Sequence, residues 1–327
     1  MRELIPRESV LGKMHPDCGT TRSSERSQIC AAIVTYNIGE EIHRCFDSIK
    51  SQVDHVVIVD NASGEATRRE LEMIAASDAV TLILNERNEG VAHAYNQAVR
   101  WALDKGFQWI LTLDHDSEAT PGMVDKLVKA YSTLKGQGID DVGVVGANPF
   151  DVNIQKFLLY GPDEGGGTPL EDQMEVISSG SLISLQVFDT ANLFNEDLFI
   201  YFVDTEFCTR LRRHGFKIFL CQDAVLLHKE GAKRCHRLLW WQFNYHHYGK
   251  TARYYLTRNL IYLMRRRLLS PGYPRGLLRS SLQDHLKILV FDEERFGVLW
   301  FSLRGLLDGL GGKVGAMSSI SPADSKD

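Results

Sequence analysis

Five short apolar runs, each followed by a polar or amphipathic stretch, govern what the first half of this chain can fold into. They occupy residues 29–34, 55–59, 80–84, 109–113 and 142–145. Each is brief, and continuous rather than alternating, the pattern of a strand buried on both faces. Between them, residues 40–52, 65–76 and 91–105 are amphipathic, as core-facing helices are. Strand and helix in alternation predict βαβ units, an α/β fold with a mainly parallel sheet, and helices flanking it. Such sheets bind their ligands outside the carboxyl ends of the strands.

The strand ends are therefore the place to look for chemistry. The first run gives way to Thr35, Tyr36 and Asn37, the second to Asp60 and Asn61, and the third leads to Arg87, Asn88 and Gly90. The fourth, in the segment LTLDHDS, stops at Asp114 and Asp116. Four polar endings on one edge build a crevice for a polar ligand. Asp60 suits a ribose or base as hydrogen-bond acceptor, and Arg87 suits a phosphate. Gly90 lets the backbone approach closely before a helix N-terminus. For each residue alone, a loop or cap role is the competing reading. Asp114 and Asp116 repel one another unless something positive lies between them, and a hard divalent cation is the usual answer. Asp-x-Asp also opens ordinary loops, and Ser117, Thr120 and Pro121 have the look of a helix start.

From about residue 161 the pattern changes. Gly165, Gly166 and Gly167 mark a loop, and residues 176–185 predict a further strand interrupted by Ser-Ser-Gly-Ser. Asp204 and Glu206 stand at the start of an expected helix whose apolar positions include Phe207 and Leu211. An acid there is either a helix cap or a general base. Strand-like residues 216–227 lead into His228, either a structural imidazole or a metal ligand. Beyond it the chain is aromatic, basic and expected to be helical from residue 238 to about 310. The net charge of -5 conceals an asymmetry, because residues 229–315 hold 16 Lys or Arg against 6 Asp or Glu. That excess suits phospholipid, a phosphorylated carrier or nucleic acid, or it is a set of solvated helix faces. The aromatics and arginines of residues 240–267 either meet a membrane interface or a carrier diphosphate, or the aromatics pack on the core while the arginines stay wet.

With 327 residues the chain makes one large or two modest domains. Its 6 cysteines are scattered without paired spacing, which fits reduced thiols in the cytoplasm. No apolar stretch reads as a secretory signal or a membrane span. Residues 1–27 are polar and pattern-free, an expected disordered leader.

Taken in order, AIVTYN, VVIVDNAS, NEGVAHAYNQA, LTLDHDS, SSGSLIS, FIYFVDTEFCTRLRRHG and LLHKEG resemble the inverting family 2 glycosyltransferases, which have the GT-A fold. Within that family LTLDHDS and FIYFVDTEF are most similar to bacterial rhamnosyltransferases of surface polysaccharide synthesis. The resemblance spans roughly residues 29–265. It implies a GT-A catalytic domain over 28–235, with a Rossmann-like nucleotide-sugar-binding half (28–120) and an acceptor side carrying the catalytic base (121–235). A basic helical region with a disordered tail follows over 236–327. Thr35, Asn37, Asp60 and Asn88 are then expected to line the nucleoside pocket, with Tyr36, Asn61, Arg87 and Gly90 completing the nucleotide-sugar set. Asp114 and Asp116 form the pair that holds Mg²⁺ or Mn²⁺ on the donor diphosphate; in many members the first acid reaches the ribose and the last contacts the ion. The resemblance implies Asp204 as catalytic base, His228 as a further metal ligand, and Ser179, Gly180 and Glu206 on the sugar or acceptor side.

The same resemblance favours dTDP-L-rhamnose as donor, with a UDP- or GDP-sugar as the alternative. It implies a glycan or lipid-linked acceptor, no nucleic-acid partner, and a cytoplasmic place with possible seating on the inner face of the membrane. Gln97, Arg100 and Trp101 spell the Q-x-x-R-W of processive synthases, but they precede the acidic pair on an amphipathic helix, so Trp101 is read as packing. A nucleotidyltransferase would share the crevice but lacks here a Gly-rich basic loop after the first strand. A non-catalytic nucleotide-sugar sensor has no use for intact Asp114, Asp116, Asp204 and His228.

Overall fold

The computed structural model describes residues 28–159, 170–229, 233–238, 241–246, 248–270, 272–291 and 294–317. The expected leader, the glycine loop at 165–167 and the tail from 318 lie outside the described residues. Strand and helix alternate through β1 (Ile29–Thr35), α1 (Ile42–Ile49), β2 (His55–Asp60), α2 (Glu65–Ile74), β3 (Val80–Leu84), α3 (Val91–Asp104) and β4 (Trp109–Asp114). There follow β5 (Glu118–Ala119), α4 (Met123–Gly136), β6 (Val142–Asp151), β7 (Lys156–Phe157), β8 (Leu170–Asp172), β9 (Ser181–Ser184) and α5 (Val187–Ala191). The remainder comprises α6 (Val203–Arg213), β10 (Lys217–His228), β11 (Lys233–Leu238), β12 (Trp241–His246), α7 (Lys250–Arg266), α8 (Tyr273–Phe291) and α9 (Arg295–Gly311).

The chain forms two compact units. The first draws on Met1–Asn88, Ala94–Leu193 and Leu211–Lys229, the second on Glu89–His93, Phe194–Arg210 and Glu230–Asp327.

In the first unit the strands lie in the order β3-β2-β1-β4-β9-β6-β10-β5, with β7 on β6 and β8 on β10. Strands β1 to β4 pair in parallel, as do β6 and β10, while β9 runs antiparallel between β4 and β6. The apolar run expected at 142–145 is thus the start of a longer strand whose ten residues are all buried. Helix α1 buries Ile42, Cys45, Phe46 and Ile49, spaced to form one stripe, against a core that includes Ile33, Ile58, Leu111 and Leu113. Truncating one such leucine to alanine costs about 2–5 kcal/mol. Trp101 packs as expected, its ring stacked on His55 with centroids 4.6 Å apart. Register aligns the ends of three strands, since Thr35 lies opposite Asp60 and Val34 opposite Asp114.

In the second unit α7 and α9 meet backbone to backbone. A Cβ on Gly305 would stand 2.4 Å from the Tyr254 carbonyl oxygen, and one on Gly309 2.7 Å from that of Arg258. Tyr254, Tyr255 and Tyr262 of α7 are buried, so this helix spends its aromatics on packing. Residues 241–246 depart from the helix expected there: β12 pairs antiparallel with β11. Trp241, Phe243 and Tyr245 alternate with Gln242, Asn244 and His246, a period of two that outweighs helical propensity.

Candidate active site

At the carboxyl edge of the first unit's sheet, Asp114, Asp116 and His228 each offer a ligand atom, and all three lie within 4.8 Å of one another. Two carboxylates and an imidazole suit a divalent ion of the Mn²⁺ or Mg²⁺ class. Burial pushes the Asp114 carboxyl above the usual carboxylate range; His228 draws it down, and the like charge of Asp116 raises it further. A cation placed there reverses that balance and favours both carboxylates.

The cluster is braced from behind. The Ser117 hydroxyl lies 3.0 Å from His228 Nδ1, leaving Nε2 as the ring nitrogen not engaged by that bond. Ser179 donates to the Ser117 oxygen at 2.9 Å and accepts the Asp114 N–H at 3.0 Å. Ser179 is buried, and the next residue, Gly180, turns the chain at φ +80°, where an added Cβ would press Leu226 at 3.0 Å. The segments LTLDHDS and SSGSLIS are therefore one hydrogen-bonded assembly. Tyr95, buried on α3, donates its hydroxyl to Asp114 Oδ1 at 2.9 Å. The sequence reading missed it because a buried aromatic at helical spacing reads as core; its place within NEGVAHAYNQA was the only signal. His115, between the two acids, accepts the Tyr36 N–H at 3.3 Å and so links the ends of β4 and β1.

Three of the expected nucleoside residues, Thr35, Asn37 and Asp60, form a second cluster around Ser63. Asp60 is fully buried; its Oδ1 accepts from the Thr35 hydroxyl at 2.9 Å and from Ser63, and its Oδ2 accepts the Ser63 N–H at 2.9 Å. Asn37 stands at φ 52°, donating its N–H to the Ser63 hydroxyl and accepting from the Gly64 N–H, each at 2.8 Å. Asn61 accepts from Asn85 at 3.0 Å. Tyr36 and Arg87 are exposed and Asn88 is half-buried.

In the second unit, Asp204 is the second residue of α6, half-buried, and accepts the Thr205 N–H at 2.8 Å. Glu206 is buried and takes both its oxygens to Arg210, Nε and Nη2 each at 2.9 Å. The turn leading into α6 is unusual: Phe199, Tyr201 and Phe202 all have φ between 61° and 65°. Side chains disfavour that region by about 1–2 kcal/mol each. Buried Asn259 of α7 opposes the cost, donating to the carbonyls of Leu198, Ile200 and Tyr201 at 3.0, 2.7 and 3.0 Å. Arg258 adds a bond to the Leu198 carbonyl at 2.9 Å, its guanidinium over the Tyr255 ring at 5.1 Å. Gly90 belongs to the same construction. It sits at φ +89°, and a Cβ there would lie 2.5 Å from the Phe199 carbonyl oxygen.

The family model for glycosyl transferase family 2 matches residues 30–165. The dTDP-rhamnosyl transferase RfbF of Shigella flexneri is 31% identical over 254 residues, covering 73% of this chain and 81% of that protein. A low-salt glycan biosynthesis hexosyltransferase of Haloferax volcanii is 26% identical over 207 residues, 61% of this chain and 66% of its own. Among solved structures, the mannosyltransferase PcManGT of Pyrobaculum calidifontis, in complex with GDP-Man and Mn²⁺, matches with a TM-score of 0.52 at 16% identity, over 88% of this chain and 76% of that one. That likeness shows the GT-A fold. Seven ordered motifs, this fold and a 31% identical relative aligned over most of its length lead to one conclusion: the chain belongs to glycosyl transferase family 2.

Proposed function

We propose that this glycosyltransferase moves L-rhamnose from dTDP-L-rhamnose, with inversion, onto a glycan or lipid-linked acceptor in cell-surface polysaccharide synthesis. The observation that carries the donor is the 31% identity to a dTDP-rhamnosyl transferase over 81% of that protein's length. Asp114, Asp116 and His228 would hold Mg²⁺ or Mn²⁺, which when bound neutralises charge on the departing diphosphate. Thr35, Tyr36, Asn37, Asp60, Asn61, Arg87, Asn88 and Gly90 would serve the nucleotide. Ser179, Gly180 and Glu206 would serve the sugar and acceptor side, Ser179 and Glu206 from behind, since both are buried.

Asp204 is the base of this reading. Its carboxylate takes the proton of the acceptor hydroxyl while the hydroxyl oxygen attacks the anomeric carbon from the face opposite the diphosphate. The bond from the anomeric carbon to the β-phosphate oxygen breaks, and its electron pair leaves with dTDP. One displacement with no enzyme nucleophile inverts the anomeric centre. A cytoplasmic place, seated on the inner face of the membrane, belongs to the same reading because that is where a lipid-linked acceptor would be met.

The test is donor hydrolysis and binding across dTDP-, UDP- and GDP-sugars with Mn²⁺, with Mg²⁺ and with EDTA. Metal-dependent preference for dTDP-L-rhamnose is the expected result. Preference for another nucleotide overturns the donor, and turnover unaffected by EDTA overturns the metal.

A further inference from the structure

Helix α9 turns Phe296, Trp300, Leu303, Leu307 and Leu310 outward, spaced four, three, four and three residues apart, so that they form one stripe. Phe296 is 77% and Trp300 63% exposed. The one acid of α9, Asp308, is buried and bonded to the Tyr254 hydroxyl at 2.9 Å, so no charge of its sign interrupts the stripe. Helix α8 packs on α9 through Ile288, Val298 and Leu299, and repeats the pattern with exposed Leu278, Leu282, Leu286 and Leu289. A single exposed leucine is ordinary; two ordered apolar stripes on neighbouring helices mark a surface that something covers.

Charge identifies what covers it. Residues 248–317 hold 12 Lys or Arg against 5 Asp or Glu. Of those acids, Asp284, Glu294 and Asp308 lie 3.6, 3.2 and 2.7 Å from Arg253, Lys250 and Lys313. Arg266, Arg275 and Arg279 are exposed on α7 and α8. A second copy of this chain would set this cationic surface against itself, whereas an anionic bilayer meets it with opposite charge. No helix among the described residues is long and apolar enough to cross a membrane, so the stripes suit lying in the interface rather than spanning it.

We propose that the outer faces of α8 and α9 seat this protein in the headgroup region of an anionic bilayer, with the apolar stripes in the acyl boundary and the arginines against lipid phosphates. This deepens the membrane-side reading given above by naming the surface, and it differs from the sequence reading of residues 240–267, which either meet a membrane interface or pack on the core. In α7 the aromatics Tyr254, Tyr255 and Tyr262 are buried and unavailable for it.

The test is flotation of the full chain with vesicles of phosphatidylglycerol and phosphatidylethanolamine, and with vesicles of phosphatidylcholine alone. Variants are Trp300→Gln with Leu307→Gln, and Leu282→Gln with Leu286→Gln, all at exposed positions. The wild type is expected to float with the anionic vesicles, less so at high salt, and each double variant to bind at least about tenfold more weakly. Trp300→Phe is expected to keep flotation while losing the quenching of tryptophan fluorescence by brominated lipid. Failure of the wild type to float, or flotation of both double variants like wild type, overturns the proposal. So does a dimer in sedimentation equilibrium that the same substitutions dissociate, which would make the face a contact between copies. Flotation is read without donor, so its failure is distinct from failure of the glycosyl-transfer reading, which donor hydrolysis measured beside it reports.

Discussion

The Ser117 hydroxyl reaches Nδ1 of His228, 111 residues further along the chain, at 3.0 Å. With Nδ1–H donating to Ser117, Nε2 is the nitrogen left for an ion, and removal of the bond is expected to be felt as metal affinity. Ser117→Ala should raise the Mn²⁺ concentration for half-maximal turnover by about 10–100-fold, the usual cost of losing a partner that orients a ligand. Titration of Mn²⁺ by electron paramagnetic resonance checks it directly. Unchanged affinity would show that the bond only packs the loop.

Asp116→Ala should remove metal-dependent donor hydrolysis, since it leaves one carboxylate and one imidazole where three groups now lie within 4.8 Å of each other. Asp204→Asn should abolish transfer and leave nucleotide binding nearly intact, which isothermal titration with the nucleoside diphosphate checks.

Asn259→Ala removes the one amide group that donates to three carbonyls leading into Asp204. The stability loss should be about 1–3 kcal/mol by denaturant unfolding, because buried acceptors lose their partner. If the turn positions the base, kcat falls by more than KM rises, and Asn259→Asp, which cannot donate, does not rescue it. An equal kcat in wild type and variant would reduce Asn259 to a purely structural role.

Cys30 is fully buried on β1, and that burial pushes its thiol from 9.0 to about 12. The folded state therefore keeps this proton up to about 12, while the unfolded chain releases it from 9.0. The unfolded state binds fewer protons across that window, so stability falls as pH rises through it, by roughly 1.4 kcal/mol per pH unit for this group. Cys30→Ala should flatten the slope by that amount in unfolding measured at successive alkaline pH values. It should also leave the rate of native-state thiol alkylation unchanged, because the wild-type thiol is already inaccessible.

Much of this arrangement was legible in the residues. The parallel strands β1, β2 and β4 announce themselves because strands covered on both faces must be apolar throughout, and the acids at the end of β4 stand out by contrast. Strand β3, apolar too, lies at the sheet edge and is only partly covered. His228 reads either as a structural imidazole or as a metal ligand, since one imidazole after a strand says nothing of what lies opposite; the fold brings a ring nitrogen and the carboxylates of Asp114 and Asp116 within 4.8 Å of one another. Three features escaped. Tyr95 is invisible because its hydroxyl, which reaches Asp114, rides on a ring that packs like any core aromatic. Ser117 reads as a loop residue until the fold brings His228 and Ser179 to it. The β11–β12 hairpin was obscured by good helix formers around it, although the alternation at 241–246 carries the strand signal.

The left-handed turn at Phe199, Tyr201 and Phe202 has a consequence in time. Its bonds come from a residue 61 positions downstream of Leu198, so a ribosome that has already made Asp204 has not yet made what holds it. At 5–20 residues per second that interval is on the order of several seconds. The sheet's strands have all been synthesised before it closes. The bonds that hold the turn can thus form only late in the making of each molecule, on a schedule set by translation.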